Sequence, residues 1–296
     1  MFGISRQYYY RAIWRTRHHQ EVANQVIPMI EEIRRDLPRV GTRKLYHMLR
    51  DPLSELSVGR DKLFAIINAN NLSIKPLRSY RMTTDSKHLF HKHKNLITGT
   101  VPTRPEQIWV GDITYIGNRN NHSYLSLITD AYSKKIVGYN LSENLNAEGC
   151  VRALKMAVKN REYADKPLIH HSDRGIQYCC DDYQKQIAKH EIKCSMTECY
   201  DPYANAVAER VNGILKQEFL LEECNVGKMI MKKIIKQSIE KYNTIRPHLS
   251  CQMLTPNQMH KQNQIEIKTY KKKDANHCSL HPLVNNLILS NPVTLF

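Results

Sequence analysis

The sequence predicts an α/β fold: a mixed sheet with helices on its faces, preceded by an all-α segment. Two observations predict it. Apolar residues recur at helical spacing up to about residue 70, and from Gln107 the pattern switches to strand-like runs parted by turns. Beyond residue 146, helical and strand patterns alternate, which puts helices on both faces of a sheet. The 296 residues suffice for two domains with extensions, and 41% hydrophobic content fits a globular chain.

Charge divides the chain into three. Residues 1–100 carry 18 Lys and Arg against 8 Asp and Glu, residues 101–220 carry 15 against 15, and residues 221–296 carry 11 against 5. Two basic arms flanking a neutral centre suit a polyphosphate partner, and nucleic acid is the expected one. The eight cysteines form no CxxC pair and no signal peptide precedes them, so reduced thiols in a cytoplasm are expected. No apolar run reaches the roughly 18 residues that cross a bilayer.

The first 20 residues are basic and aromatic (Tyr8, Tyr9, Tyr10, Trp14, Arg11, Arg15, Arg17). They read either as a surface that stacks on bases or as the start of a helix packing on the next segment; the sequence does not separate the two, and packing is favoured. Val22, Val26, Ile27, Ile30 and Ile33 mark a helix from Glu21 to about Leu37. A second helix begins at Gly41 with Thr42 as N-cap, and a turn through Asp51 and Pro52 follows. A third helix runs from about Gly59 to Asn70 with Arg60 and Lys62 at its start. This fits a helix-turn-helix whose second helix meets DNA, across a domain spanning 1–74, with a three-helix packing module that makes no DNA contact as the other reading. Residues 75–104 read as a basic linker, where His88, His91 and His93 lack a cysteine pair at zinc spacing.

The catalytic core is expected over 105–222. Strands are predicted at 107–116, 124–130 and 135–141, the first two joined by a turn at 117–121. A helix over 147–160, a strand at 168–171, a helix over 181–188, a strand at 192–196 and a long helix from Tyr203 to about Leu221 complete it. That order is the ribonuclease-H-like arrangement. A helical extension (223–260) and a basic tail (261–296) follow.

Three acids fall on three of these elements: Asp112 in a strand, Asp173 in the turn after a strand, and Glu209 in the last helix, with 35 residues between the second and third. Read singly, each is a surface carboxylate or helix cap; together they make a site for Mg²⁺. At about 100° per residue from Glu209, Asn205 lies at about −40°, Asn212 at about −60° and Lys216 at about −20°, so one polar stripe faces away from Val207, Val211 and Ile214.

The motifs Trp109-Val110-Gly111-Asp112-Ile113-Thr114-Tyr115, His170-His171-Ser172-Asp173-Arg174-Gly175, Asn205-Ala206-Val207-Ala208-Glu209-Arg210 and Tyr242-Asn243-Thr244-Ile245-Arg246-Pro247-His248 carry a resemblance. The chain resembles the bacterial insertion-sequence transposases with a retroviral-integrase-type core, in their longer, second-reading-frame form. The resemblance implies Asp112, Asp173 and Glu209 as an acidic triad holding two Mg²⁺, with Mn²⁺ able to substitute. It implies cleavage at element ends and strand transfer, a homo-oligomer in synapsis, a bacterial cytoplasm near the nucleoid, and cooperation or fusion with an upstream-frame helix-turn-helix product. Lys216, Arg60, Lys62, Arg174, Asn205 and Arg246 are the candidate DNA contacts; a plain surface lysine is an equal reading for Lys216, a turn residue for Arg174 and His171, and packing is the other reading for Arg246. His171 is placed to orient Asp173 or touch DNA, and Asp130 reads as a turn acid. Gly111 stands where many relatives have a polar residue. A DNA-end-binding protein without catalysis, or a structure-specific nuclease on the same fold, are the competing readings.

Overall fold

The computed structural model describes residues 5–75, 92–117, 122–197, 206–263 and 265–267. The first helix, α1 (Arg6–Asp36), starts fifteen residues before the apolar periodicity does, and its N-cap Ser5 accepts from the Tyr8 amide. Only Val22, Ala23, Val26 and Ile30 of this helix are buried. Its N-terminal part is helical as expected but is not packed: Tyr8, Tyr9, Tyr10 and Trp14 are all exposed. Helix α2 (Thr42–Met48) is capped by Gly41, so Thr42 is the first helical residue and not the cap. The expected turn at Asp51 and Pro52 is instead a short helix, α3 (Arg50–Glu55), because proline fits a first helical turn. Leu56, Ser57, Val58 and Gly59 lead into α4 (Arg60–Ala69), where Ser57 takes a left-handed φ of 53°. Of the linker histidines, His88 and His91 lie outside the described residues, and His93 bonds Gln184 at 3.0 Å.

The sheet has five strands: β1 (Ile108–Gly117), β2 (His122–Asp130), β3 (Ile136–Ser142), β4 (Ile169–Ser172) and β5 (Lys193–Met196). Their spatial order is β3-β2-β1-β4-β5. The first three pair antiparallel, while β4 runs parallel to β1 and β5 parallel to β4. This is the ribonuclease-H-like arrangement. Between strands lie α5 (Ala147–Lys159), the short α6 (Ile176–Cys179), which the periodicity missed, and α7 (Asp181–Lys189). Then come α8 (Ala206–Gln217), α9 (Lys228–Thr244) and α10 (Pro256–His260), the last opened by a capping box on Thr255. The predicted start of α8 at Tyr203 and the turn at Asn118–Asn121 lie outside the described residues.

Strand alternation gives the sheet two apolar faces. Trp109, Ile113 and Ile128 pack with α5 and α7 through Leu154, Ala157, Tyr183 and Ile187. Gly138 permits this, since a Cβ there would meet the Ala153 carbonyl oxygen at 2.2 Å. Ile116, Leu125 and Leu127 face the other way, in one cluster with Val211 and Leu215 of α8, Ile235 and Ile239 of α9, and Leu45, Leu53 and Leu63 of the N-terminal helices. The helical segment and the sheet therefore share one core.

The Tyr242–His248 motif fastens α9 to the sheet. Tyr242 Oη donates to the Lys134 carbonyl at 2.8 Å. The Asn243 amide bonds Ile136 twice, accepting from its N–H and donating to its carbonyl, both at 3.0 Å. At the opposite side of the sheet, the Met196 N–H reaches the Lys94 carbonyl at 3.4 Å and the Leu96 N–H reaches Ser195 Oγ at 2.9 Å. Among the described residues, no helix is long and apolar enough to cross a membrane.

Candidate active site

Asp112 sits mid-strand on β1, with Leu127 as its partner on β2. On its other side β1 and β4 are in register at Val110 and His171. Asp112 is two residues beyond the first and Asp173 two beyond the second, so both carboxylates stand at the same level of adjacent parallel strands. Asp173 falls just past the end of β4, where Oδ1 accepts from the Gly175 N–H at 3.0 Å in an Asx turn. Glu209 lies in the first turn of α8, which packs on β1. One turn later, Asn212 Nδ2 donates to Asp112 Oδ2 at 2.5 Å. The predicted polar stripe therefore exists, but Asn212 within it is buried and aimed at the strand.

Burial pushes the Asp112 carboxyl up to about 8, helped by the Asp173 charge and then the Glu209 charge; the Ile113 N–H and the Asn212 amide oppose the shift. Burial also raises Glu209. Negative groups brought this close without a cation hold a proton at neutral pH, and a divalent cation is the natural replacement for it. Among the described residues, no three His, Cys, Asp or Glu side chains are grouped to hold one ion. Among the described residues, Asn212 Oδ1 is buried with no hydrogen-bond partner and is an acceptor available to a metal-bound water.

The flanking predictions fare unequally. His171 is buried, with Nδ1 at 2.9 Å from Ser195 Oγ and Nε2 at 3.4 Å from Thr197 Oγ1. Burial lowers its pKa to about 4, so it is a neutral tie from β4 to β5. Gly111 points away from the acids; a Cβ there would approach His170 at 3.0 Å and Tyr178 at 3.2 Å, which accounts for the glycine. Asp130 is a turn acid: Oδ1 accepts from the N–H and Oγ of Ser133, and Oδ2 from the Glu106 N–H, each at 2.7 Å. Arg174 and Lys216 are half-buried beside the site; Arg60 is exposed and pairs with Asp61 at 2.9 Å, and Lys62 is half-buried. Asn205 lies outside the described residues.

Arg246 is corrected outright. Only 1% of it is exposed, and its Nε and Nη2 donate to the two Glu218 oxygens at 2.8 and 2.7 Å. Glu218 also receives Lys44 Nζ of α2 at 3.3 Å, and its backbone carbonyl accepts from the Arg39 N–H at 3.1 Å. The guanidinium is consumed in a buried junction and cannot reach a phosphate. Glu218 is the partner that sequence reasoning passed over, whereas Asn212 was placed on the right stripe without its burial against Asp112. Glu218 did leave a signal: nine residues after Glu209, it falls on the apolar side of the helix, where an acid needs a cation.

The sheet order, and acids gathered from two neighbouring strands and a helix, define an integrase-type core. Consistent with this, residues 102–202 and 190–256 match family models described as integrase core domain. The chain is 32% identical over 260 residues to the insertion element IS600 uncharacterized 31 kDa protein of Shigella sonnei, covering 86% of this chain and 94% of the relative. It is also 32% identical to the transposase InsF for insertion sequence IS3fB of Escherichia coli strain K12, covering 67% and 69%. Among solved structures, the HTLV-2 integrase catalytic core domain in complex with magnesium aligns at 21% identity and a TM-score of 0.42, covering 53% of this chain and 97% of that one. The chain belongs to the insertion-sequence transposases, and it is a DNA transposase.

Proposed function

We propose that Asp112, Asp173 and Glu209 are the catalytic carboxylates of a DDE-type polynucleotidyl transferase, holding two Mg²⁺ ions for which Mn²⁺ can substitute. Asp112 would be the central ligand, with Asp173 and Glu209 completing the set that holds the ions. When bound, the pair supplies Lewis acidity to the attacking and departing oxygens of an in-line displacement. The chain's own part is placement. Asn212 keeps the Asp112 carboxylate turned toward the site, the Gly175 N–H fixes Asp173, and the packed face of α8 sets Glu209.

The reaction proceeds in two displacements. Water attacks the phosphodiester at the element end, a P–O bond forms, and the bond to the 3′ oxygen breaks as that oxygen takes a proton. The freed 3′-hydroxyl then attacks a target phosphodiester, forming one P–O bond and releasing another 3′-hydroxyl. Phosphate contacts are assigned to Lys216, Arg174 and Asn205, neighbours of the acids in the sequence, and to Arg60 and Lys62 of α4. End recognition is assigned to the helices of residues 1–74, in a homo-oligomeric synapse. The carrying observation is that Asp112 and Asp173 stand at one level of adjacent parallel strands, with Asp112 buried so that burial first, then the Asp173 and Glu209 charges, raises its carboxyl to about 8. Full-length protein, Mg²⁺ and DNA bearing the parent element's ends should yield nicked and joined products, and Asp112→Asn should abolish both. Products unchanged in that variant would overturn the assignment. Binding without cleavage under any divalent ion would leave an end-binding protein, and cutting without joining would leave a nuclease.

A further inference from the structure

The N-terminal four turns of α1 are unlike the rest of the helix. Residues 6–20 carry four arginines (Arg6, Arg11, Arg15, Arg17) and no acid, and all four are exposed. Tyr10, Trp14 and His18 follow one another at intervals of four, so they form a strip along one side, stepping about 6 Å each time. Trp14 is 66% exposed, and its ring stacks on His18 with centroids 5.3 Å apart and planes 7° from parallel. With Trp14 at zero, Arg6 and Arg17 flank the strip at about −80° and −60°, and Arg11 at about +60°. The buried residues Val22, Val26 and Ile30 fall at about 80–160°, so the strip does not continue the face that meets the core.

We propose that this strip binds unpaired nucleotides of the DNA substrate, bases stacking on Tyr10 and Trp14 while the flanking arginines meet the phosphates. An intact duplex offers a helix only base edges and backbone; its base faces are covered, so exposed rings gain little there. A single strand offers a face for every ring, and aromatic rings between cations are the chemistry that holds it. A second copy of the same strip is disfavoured, because four arginines would oppose four. The choice of nucleic acid rests on the transposase reading. The test is run in chelator, where no cutting occurs, so its failure leaves that reading intact.

Trp14 reports directly, since the only other tryptophan, Trp109, is fully buried. Full-length protein is titrated with oligothymidylate and, separately, with a blunt duplex of equal length, following tryptophan emission and anisotropy of the labelled DNA. Oligothymidylate should quench Trp14 strongly and the duplex weakly. Trp14→Ala should bind the single strand roughly 10-fold more weakly, with Trp14→Phe recovering most of the loss and both variants melting like the parent. Arg11→Ala with Arg17→Ala should flatten the salt dependence of binding. Equal affinity of Trp14→Ala and parent for oligothymidylate would overturn the proposal. So would quenching by the duplex as strong as by the single strand, or dissociation of a parent dimer by Trp14→Ala in sedimentation.

Discussion

Replacing Glu218 by alanine should unfasten three parts of the molecule at once. The side chain accepts two hydrogen bonds from Arg246 and one from Lys44, so one residue past the end of α8 joins α2 and the segment after α9, while its backbone carbonyl, which holds the Arg39 N–H, survives the substitution. Burial alone would raise the Glu218 carboxyl, but the Arg246 hydrogen bonds and charge, with Lys44, hold it below its usual range. Removing one member of a buried pair costs about 3–5 kcal/mol, because the charge left behind has no water. Arg246 cannot shed its proton, so its share of that cost stays. Lys44 can: burial, then the Arg246 charge, already bring it down to about 8 against the opposing pull of Glu218. The lower end of the range therefore applies, about 3 kcal/mol, or a loss of roughly 10 °C in melting temperature for a domain of this size. Glu218→Gln keeps the shape and an acceptor and should lose about half as much. Thermal unfolding at pH 7 by circular dichroism measures both, and a double-mutant cycle with Arg246→Ala measures the coupling. A Glu218→Ala midpoint within about 2 °C of the parent would refute the reasoning, as would strictly additive losses in the cycle.

Two further outcomes follow from the geometry. Asn212→Ala removes the donor that orients Asp112 and should slow end cleavage by about 10–100-fold while leaving end binding intact, read by comparing product formation with gel shift. The buried cluster that seats α10 should give stability a pH optimum. Burial would lower the His260 pKa, yet the Asp130 and Glu106 carboxylates, 3.8 and 3.6 Å from its ring nitrogens, outweigh this and raise it, so its contribution is full below about 6.5 and is lost as pH rises through the folded value. Glu106 is held low by His260 and the Glu162 and Tyr163 N–H groups against its own burial, so its contribution is lost as pH falls. Glu162, Arg161 and Ser133 also face this cluster. Melting temperatures across pH should pass through a maximum, and His260→Gln should flatten the alkaline limb.

The three acids and most of the sheet were legible because their signals are local. Asp112 lies in an alternating apolar run, Asp173 in a turn after one, and Glu209 on a helix whose buried face has a clear period. What escaped depended on partners far along the chain. Arg246 reads as a surface cation until Glu218, 28 residues earlier, is found against it, and Lys44 meets the same acid across 174 residues. Asn212 sat on the right stripe, but only the docking of α8 against β1 shows that it is buried. The basic aromatic start of α1 failed in the opposite sense, since rings normally predict packing and here nothing among the described residues covers them.

The Asn243 amide, which bonds Ile136 through both its donor and its acceptor, acts on β3 as the next strand's peptide group would. With residues 94–96 lying along β5, neither border of the sheet is left open at these points for a stranger's strand. Joining sheet to sheet, the route by which exposed strands drift into aggregates, is blocked at these points by the chain's own segments.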